Sequence, residues 1–135
     1  RVSWECALDY VLGYTCGNDV TEKSIWEKDY SDWRSKGLPT WGPVGPWIAT
    51  HLEPSNLDVT ERLNGLVEHR FNTGDMIHDV ASIVSYNSQY TTLFPGDLIF
   101  TGTSGSTRAM KPGDVVEVEI SGIGTLKNPV SMEKV

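Results

Sequence analysis

The dipeptide Asn64-Gly65 constrains the fold more than any other feature of the sequence. It stands between Leu57, Val59, Glu61 and Leu63 on one side and Leu66-Val67 on the other. A two-residue type I′ turn between antiparallel strands needs positive φ at both positions, and Asn followed by Gly adopts that geometry with little strain. The alternating residues before it share one face of a strand, so the pair predicts a tight hairpin with a defined register. Three further turn signals follow the same logic. Pro95-Gly96-Asp97 leads into Leu98-Ile99-Phe100-Thr101, read as a buried strand. Lys111-Pro112-Gly113-Asp114 leads into Val115 to Ile120, and Gly122-Ile123-Gly124 turns the chain into a last strand ending near Val130. One substantial helix is expected over about 75–89, capped by Asp75, with Met76, Ile77, Val80, Ile83 and Val84 as its core stripe. His78 falls on that helix, partly exposed. Strands outnumber helices, so the class is α+β, mainly antiparallel β.

Towards the start, Ser3 can cap a short helix through about Tyr10, with Ala7 and Leu8 inward. A strand is expected from Tyr10 to Val20. In extended backbone Tyr14, Cys16 and Asn18 face one way and Thr15, Gly17 and Asp19 the other. Gly13 and Gly17 thin this strand, which signals that a ligand or another backbone comes close. Asp19, at the end of it, can reach into a cleft and hold a hard cation through oxygen. Standing before Thr21-Glu22-Lys23, the same residue also suits a turn or a helix cap. Residues 21–38 read as a helical turn and a loop, a candidate lid. The Pro- and Gly-rich segment from Gly37 to Trp47 reads as a rigid loop that can hold Lys36 in place.

At 135 residues the chain suits a single domain. Its 39% hydrophobic content is too high for a disordered chain, and no apolar run approaches the ~20 residues of a membrane span. A net charge of −7 argues against nucleic acid as a partner. It leaves room for a small anionic substrate, because a metal ion and one or two lysines can set the local potential. Cys6 and Cys16 form no zinc or redox pair and are read as reduced and buried, hence an intracellular chain, cytoplasmic or mitochondrial.

Other chemically suggestive groups have plain structural readings beside them. Glu117 and Glu119 lie about 7 Å apart on one strand face, a spacing that could chelate a cation but also the wet face of a strand whose Val116, Val118 and Ile120 point inward. Thr101-Gly102-Thr103-Ser104-Gly105-Ser106-Thr107 offers hydroxyls and backbone N–H groups to an anion, or is a loop between strands. His51, His69 and His78 are scattered, without ligand spacing, and no Ser-His-Asp or Cys-His arrangement supports nucleophilic catalysis.

Gly13-Tyr14-Thr15-Cys16-Gly17-Asn18-Asp19-Val20 resembles the segment of the fumarylacetoacetate hydrolase family that supplies an aspartate to a divalent metal. The resemblance continues in order through Lys36-Gly37-Leu38-Pro39-Thr40, Gly42-Pro43-Val44-Gly45-Pro46-Trp47 and Leu63-Asn64-Gly65. It runs on through Asn72-Thr73-Gly74-Asp75-Met76-Ile77, Pro95-Gly96-Asp97, Thr101-Gly102-Thr103, Lys111-Pro112-Gly113-Asp114 and the run from Gly122 to Val130. It implies a mixed β-roll that binds Mg²⁺, or Mn²⁺ or Ca²⁺, and acts on 2-oxo and 1,3-dicarbonyl acids by C–C hydrolysis, decarboxylation or keto-enol isomerisation. It implies Asp19 as a metal ligand, Lys36 as the catalytic lysine beside metal and substrate, Thr40 in the outer metal shell, Thr103 with Gly102 at the substrate carboxylate, and a homodimer. The family's Glu-x-Glu metal ligands and its His/Glu proton-transfer pair would precede Arg1, so the domain is expected to lack its N-terminal part. Glu22-Lys23 stand where Ala-Arg is usual, Trp26 where glutamine is, Pro39 where aspartate is, and Ser104-Gly105-Ser106 where Pro-Ala-Gly is. The alternative is a truncated, inactive member serving as a structural or dimerisation subunit.

Overall fold

The computed structural model describes residues 1–105 and 108–132. Strands β3 (Asp58–Leu63) and β4 (Leu66–Asn72) flank the Asn64-Gly65 turn, with Leu63 paired to Leu66 and φ of 54° at Asn64 and 79° at Gly65. Asn64 does more than turn the chain: its Nδ2 donates to Asp114 Oδ1 at 2.9 Å and its Oδ1 accepts from the Val115 N–H at 2.8 Å. The hairpin is thereby stitched to β5 (Val115–Ile120), which pairs in turn with β6 (Gly124–Pro129). The result is a four-stranded antiparallel sheet in the order β4-β3-β5-β6. A second, two-stranded antiparallel sheet joins β1 (Tyr14–Gly17) to β2 (Val44–Ala49).

The two sheets share a core. Cys16 of β1, Leu126 of β6 and Ile123 in the β5–β6 turn are buried, with Tyr14, Ala49, Leu52, Val118 and Ile120 packed around them. The Cys16 thiol donates to the Gly124 carbonyl at 3.4 Å, and burial pushes its pKa up. A smaller core forms where Ala7 of the 3₁₀ helix Trp4–Tyr10 meets Ala81 and Val84 of helix α3 (Val80–Tyr90). Among the described residues no helix is long and apolar enough to cross a membrane. The class is α+β with antiparallel sheets and few helices, as the turn chemistry predicts.

Several local expectations need correction. The long helix begins at Val80, not Asp75: Asp79 accepts from the Ser82 N–H at 2.7 Å, a regular N-cap, whereas Thr73–Asp75 forms a 3₁₀ turn capped by Asn72. Met76 is extended, so it, Ile77 and His78 lie before the helix and Ile77 is exposed. The helix at the start is 3₁₀, Ser3 makes no side-chain cap, and Leu8 and Cys6 are exposed rather than buried. Leu98 to Thr101 forms no strand and is exposed, since no described strand pairs with it. The strand expected over Tyr10 to Val20 is limited to β1, since the 3₁₀ helix before it runs through Tyr10 and the chain turns after it where the Val20 N–H donates to the Asn18 carbonyl. Both glycines of that segment are explained by crowding: a Cβ on Gly13 would stand 2.5 Å from the Ala49 carbonyl oxygen, and one on Gly17 would stand 2.7 Å from the Phe100 ring.

Candidate active site

Beyond β1 the chain bends sharply. The Asn18 N–H donates to the Pro43 carbonyl at 3.0 Å and the Val20 N–H to the Asn18 carbonyl at 3.1 Å, which leaves Asp19 at the apex of the bend. Two four-residue helices follow, α1 (Lys23–Trp26) and α2 (Trp33–Lys36), where a turn and a loop were expected. Helices this short are not stable alone. What holds α2 is Asp29, a buried carboxylate that accepts from the backbone N–H groups of Arg34 and Ser35, both at 2.8 Å. The Ser35 N–H first, and Arg34 after it, keep the Asp29 carboxyl below the usual carboxylate range. The Ser35 carbonyl in turn accepts from the Glu22 N–H at 2.8 Å, tying α2 to the bend after Asp19.

This arrangement delivers Lys36, the last residue of α2, to Asp19. Lys36 Nζ donates to Asp19 Oδ2 at 2.6 Å and to Thr21 Oγ1 at 2.8 Å. Lys36 is therefore held by a capped helix, not by the Pro/Gly loop that follows it. The side chains of Lys36 and Asp19 are 30% and 48% exposed. An ion pair so open to water contributes only about 0–1 kcal/mol to stability, so holding the fold together does not explain it. An ammonium has three N–H donors, and two are already placed on oxygen.

Thr40 stands close by in the chain, at φ of 71°, a conformation that a β-branched residue rarely adopts and that costs on the order of 1–3 kcal/mol. It lines an open groove of about 390 Å³ together with Leu38, Trp41, Gly42, Pro43 and Asn128 of β6. Pro43, whose carbonyl anchors Asn18, thus links groove and bend. Gly102, at φ of 94°, and Thr103 lie on an exposed loop whose Thr103 hydroxyl donates to the Ser104 carbonyl at 3.4 Å. That loop approaches β1 through the contact of Phe100 with Gly17, yet among the described residues no hydrogen bond joins Thr103 to Asp19 or Lys36. Ser106 and Thr107, the end of the hydroxyl-rich run, lie outside the described residues. Glu117 and Glu119 are taken up by cations on neighbouring strands, Lys127 at 2.7 Å and Arg62 at 2.6 Å.

The structure thus brings Asp19 and Lys36 together, sets Thr40 on an adjoining groove and leaves Gly102 and Thr103 on a separate loop. Asp29 and Thr21 are the residues that sequence reading missed. Asp29 lies five and six positions before the amides it caps, outside any capping-box spacing, so only the fold reveals it. A divalent ion such as Mg²⁺ needs about six oxygens, and among the described residues no group of three His, Cys, Asp or Glu side chains is placed to hold a metal ion. The described residues do not by themselves fit such an ion; Asp19 offers one carboxylate.

The fold is that of a protein family whose named members include hydrolases and isomerases. The family model described as fumarylacetoacetate (FAA) hydrolase C-terminal matches residues 1–131, and the chain belongs to that family. It is 41% identical over 142 residues to the 2,4-didehydro-3-deoxy-L-rhamnonate hydrolase of Sphingomonas sp., covering 96% of this chain and 50% of that protein. Its structure resembles the 5-carboxymethyl-2-hydroxymuconate delta-isomerase of Mycobacterium smegmatis, with a TM-score of 0.96 and 40% identity over 99% of this chain and 53% of that one. It also resembles the 2-hydroxyhepta-2,4-diene-1,7-dioate isomerase of Mycobacterium marinum, with a TM-score of 0.94 and 46% identity over 96% and 52%. The chain spans about half the length of the curated relatives it matches.

Proposed function

We propose that this chain carries part of the active site of an enzyme acting on 2-oxo or 1,3-dicarbonyl acids, by C–C hydrolysis, decarboxylation or keto-enol isomerisation. The observation that carries the reading is the 2.6 Å contact between Lys36 and Asp19, an exposed pair with little structural worth, in a chain whose relatives are named as hydrolases and isomerases. Lys36, with two N–H donors fixed, directs its remaining donor at an anionic oxygen of the substrate and stabilises charge that develops there. Gly102 and Thr103 present a backbone N–H and a hydroxyl to the substrate carboxylate. Asp19 would contribute one carboxylate to a Mg²⁺ site, or a Mn²⁺ or Ca²⁺ site, that oxygens from outside the described residues would complete, and Thr40 would stand in its outer shell. A small anionic substrate and a homodimer belong to the same reading, without nucleic acid or membrane as partner. A net charge of −7 argues against nucleic acid as a partner, and the exposed Trp47 and Ile48 of β2 support the homodimer.

One observation favours a second reading, a structural or dimerisation subunit without activity: among the described residues Asp19 has no companion His, Cys, Asp or Glu side chains placed to complete a metal site. Metal analysis of the intact protein and an oxaloacetate assay separate the two. About one Mg²⁺ or Mn²⁺ per chain with decarboxylation or enol-keto conversion supports the enzyme; a protein that takes up neither metal and leaves oxaloacetate unchanged supports the subunit.

A further inference from the structure

In the β3–β4 pairing Glu61 stands opposite His69 and Arg62 opposite Val67, so Glu68 is an extra residue, a β-bulge. A bulge breaks the strict alternation of faces and re-aims its side chains, and bulges are over-represented beside active sites. Here it aims a carboxylate inward: the Glu68 side chain is only 14% exposed, and a carboxylate so covered needs a partner. Its partner is Arg108, whose Nη2 lies 3.3 Å from Glu68 Oε1. The neighbouring His69 imidazole lies against Gly105, where a Cβ would stand 3.0 Å from Cε1 and 3.1 Å from Nδ1. Gly105, at φ of 73°, is thus fixed by its backbone conformation and by its neighbour. Glu61 belongs to the same group: burial raises its pKa, with His69 opposing and Glu68 adding to the shift.

Gly102 and Thr103 therefore sit between two anchors, Phe100 against Gly17 on one side and Gly105 with Arg108 on the bulge on the other. We propose that Glu68 and His69 are positioning residues: through Arg108 and Gly105 they fix where Gly102 and Thr103 stand, and so set affinity for the substrate carboxylate. The part that concerns substrate rests on the function proposed above; the tether itself does not.

The test compares Glu68→Gln, Arg108→Gln, the charge swap Glu68→Arg with Arg108→Glu, and Glu119→Gln as a control ion pair, all in the intact protein. Two readouts are used: amide hydrogen exchange over residues 101–105, and KM and kcat for oxaloacetate. Both single variants should speed exchange there, and raise KM severalfold, up to about fivefold, with kcat within about twofold, the most that an ion pair with one exposed partner contributes. The swap should recover most of both effects, and the control should change neither. Arg108→Gln, at an exposed position, keeps the test valid if Glu68→Gln fails to fold. Unchanged exchange in a folded single variant overturns the tether. Faster exchange with unchanged KM overturns its role in binding. Faster exchange in a protein that leaves oxaloacetate untouched upholds the tether while the enzymatic reading fails.

Discussion

The four-stranded sheet and the segment from Asp19 to Pro43 are built on different principles. In the sheet, turn chemistry and apolar burial agree: Asn64-Gly65 closes one hairpin, Gly122 to Gly124 another, and Val59, Leu63, Val116, Ile123 and Leu126 are buried beneath them. From Asp19 to Pro43 only Asp29 and Ser35 are buried, and order comes from hydrogen bonds to backbone and from one open ion pair. The contrast teaches that architecture and chemistry are carried by separate residues, so each can be broken without the other.

The largest effect on stability belongs to the sheet. Ile123→Ala removes a side chain that is 1% exposed at the centre of the shared core and should cost about 2–5 kcal/mol in urea unfolding. A loss as large from Lys36→Ala would erase the contrast between the two regions. In the site region Asp29→Ala frees α2 and misplaces the Lys36 ammonium, so turnover of oxaloacetate should fall on the order of 10²-fold. Asp29→Asn keeps an acceptor oxygen and should retain most of it. Equal losses in both variants would mean that Asp29 acts through its charge and not by capping.

A smaller effect, shared by both regions, is acid sensitivity. The carboxyls of Asp114, Asp79 and Asp29 lie below their ordinary range, held there first by the Asn64 amide, the Ser82 hydroxyl and the Ser35 N–H respectively. A depressed folded pKa stabilises the native state above the unfolded value near 4, and that stability is lost as pH falls through the folded values. Unfolding midpoints should therefore be flat down to about pH 4 and fall below it. Asp114→Asn should flatten the fall; an unaltered slope would remove Asp114 from the explanation.

What the sequence discloses follows the same division. Hairpin turns and strand alternation are local signals, and β3 to β6 were legible from them. The early start expected for α3 came from reading Asp75 as a cap when Asp79, with Ser82 three residues on, is the better one. Leu98 to Phe100 has the composition of a strand, but a strand also needs a partner, which no local pattern supplies. At the site Asp19 and Lys36 could be named from family resemblance, yet their contact depends on Asp29 reaching amides five and six residues on. The Glu68 bulge arises from the register between strands, which no residue type in β4 announces.

The central claim is that Asp19 serves chemistry and not folding. Measuring Mn²⁺ uptake and urea unfolding side by side in the intact protein and in Asp19→Ala tests it most directly. Loss of uptake with an unfolding free energy within about 1 kcal/mol of the parent, the most that an exposed ion pair contributes, is the predicted result. Undiminished uptake in Asp19→Ala, or a collapse of stability, would contradict it.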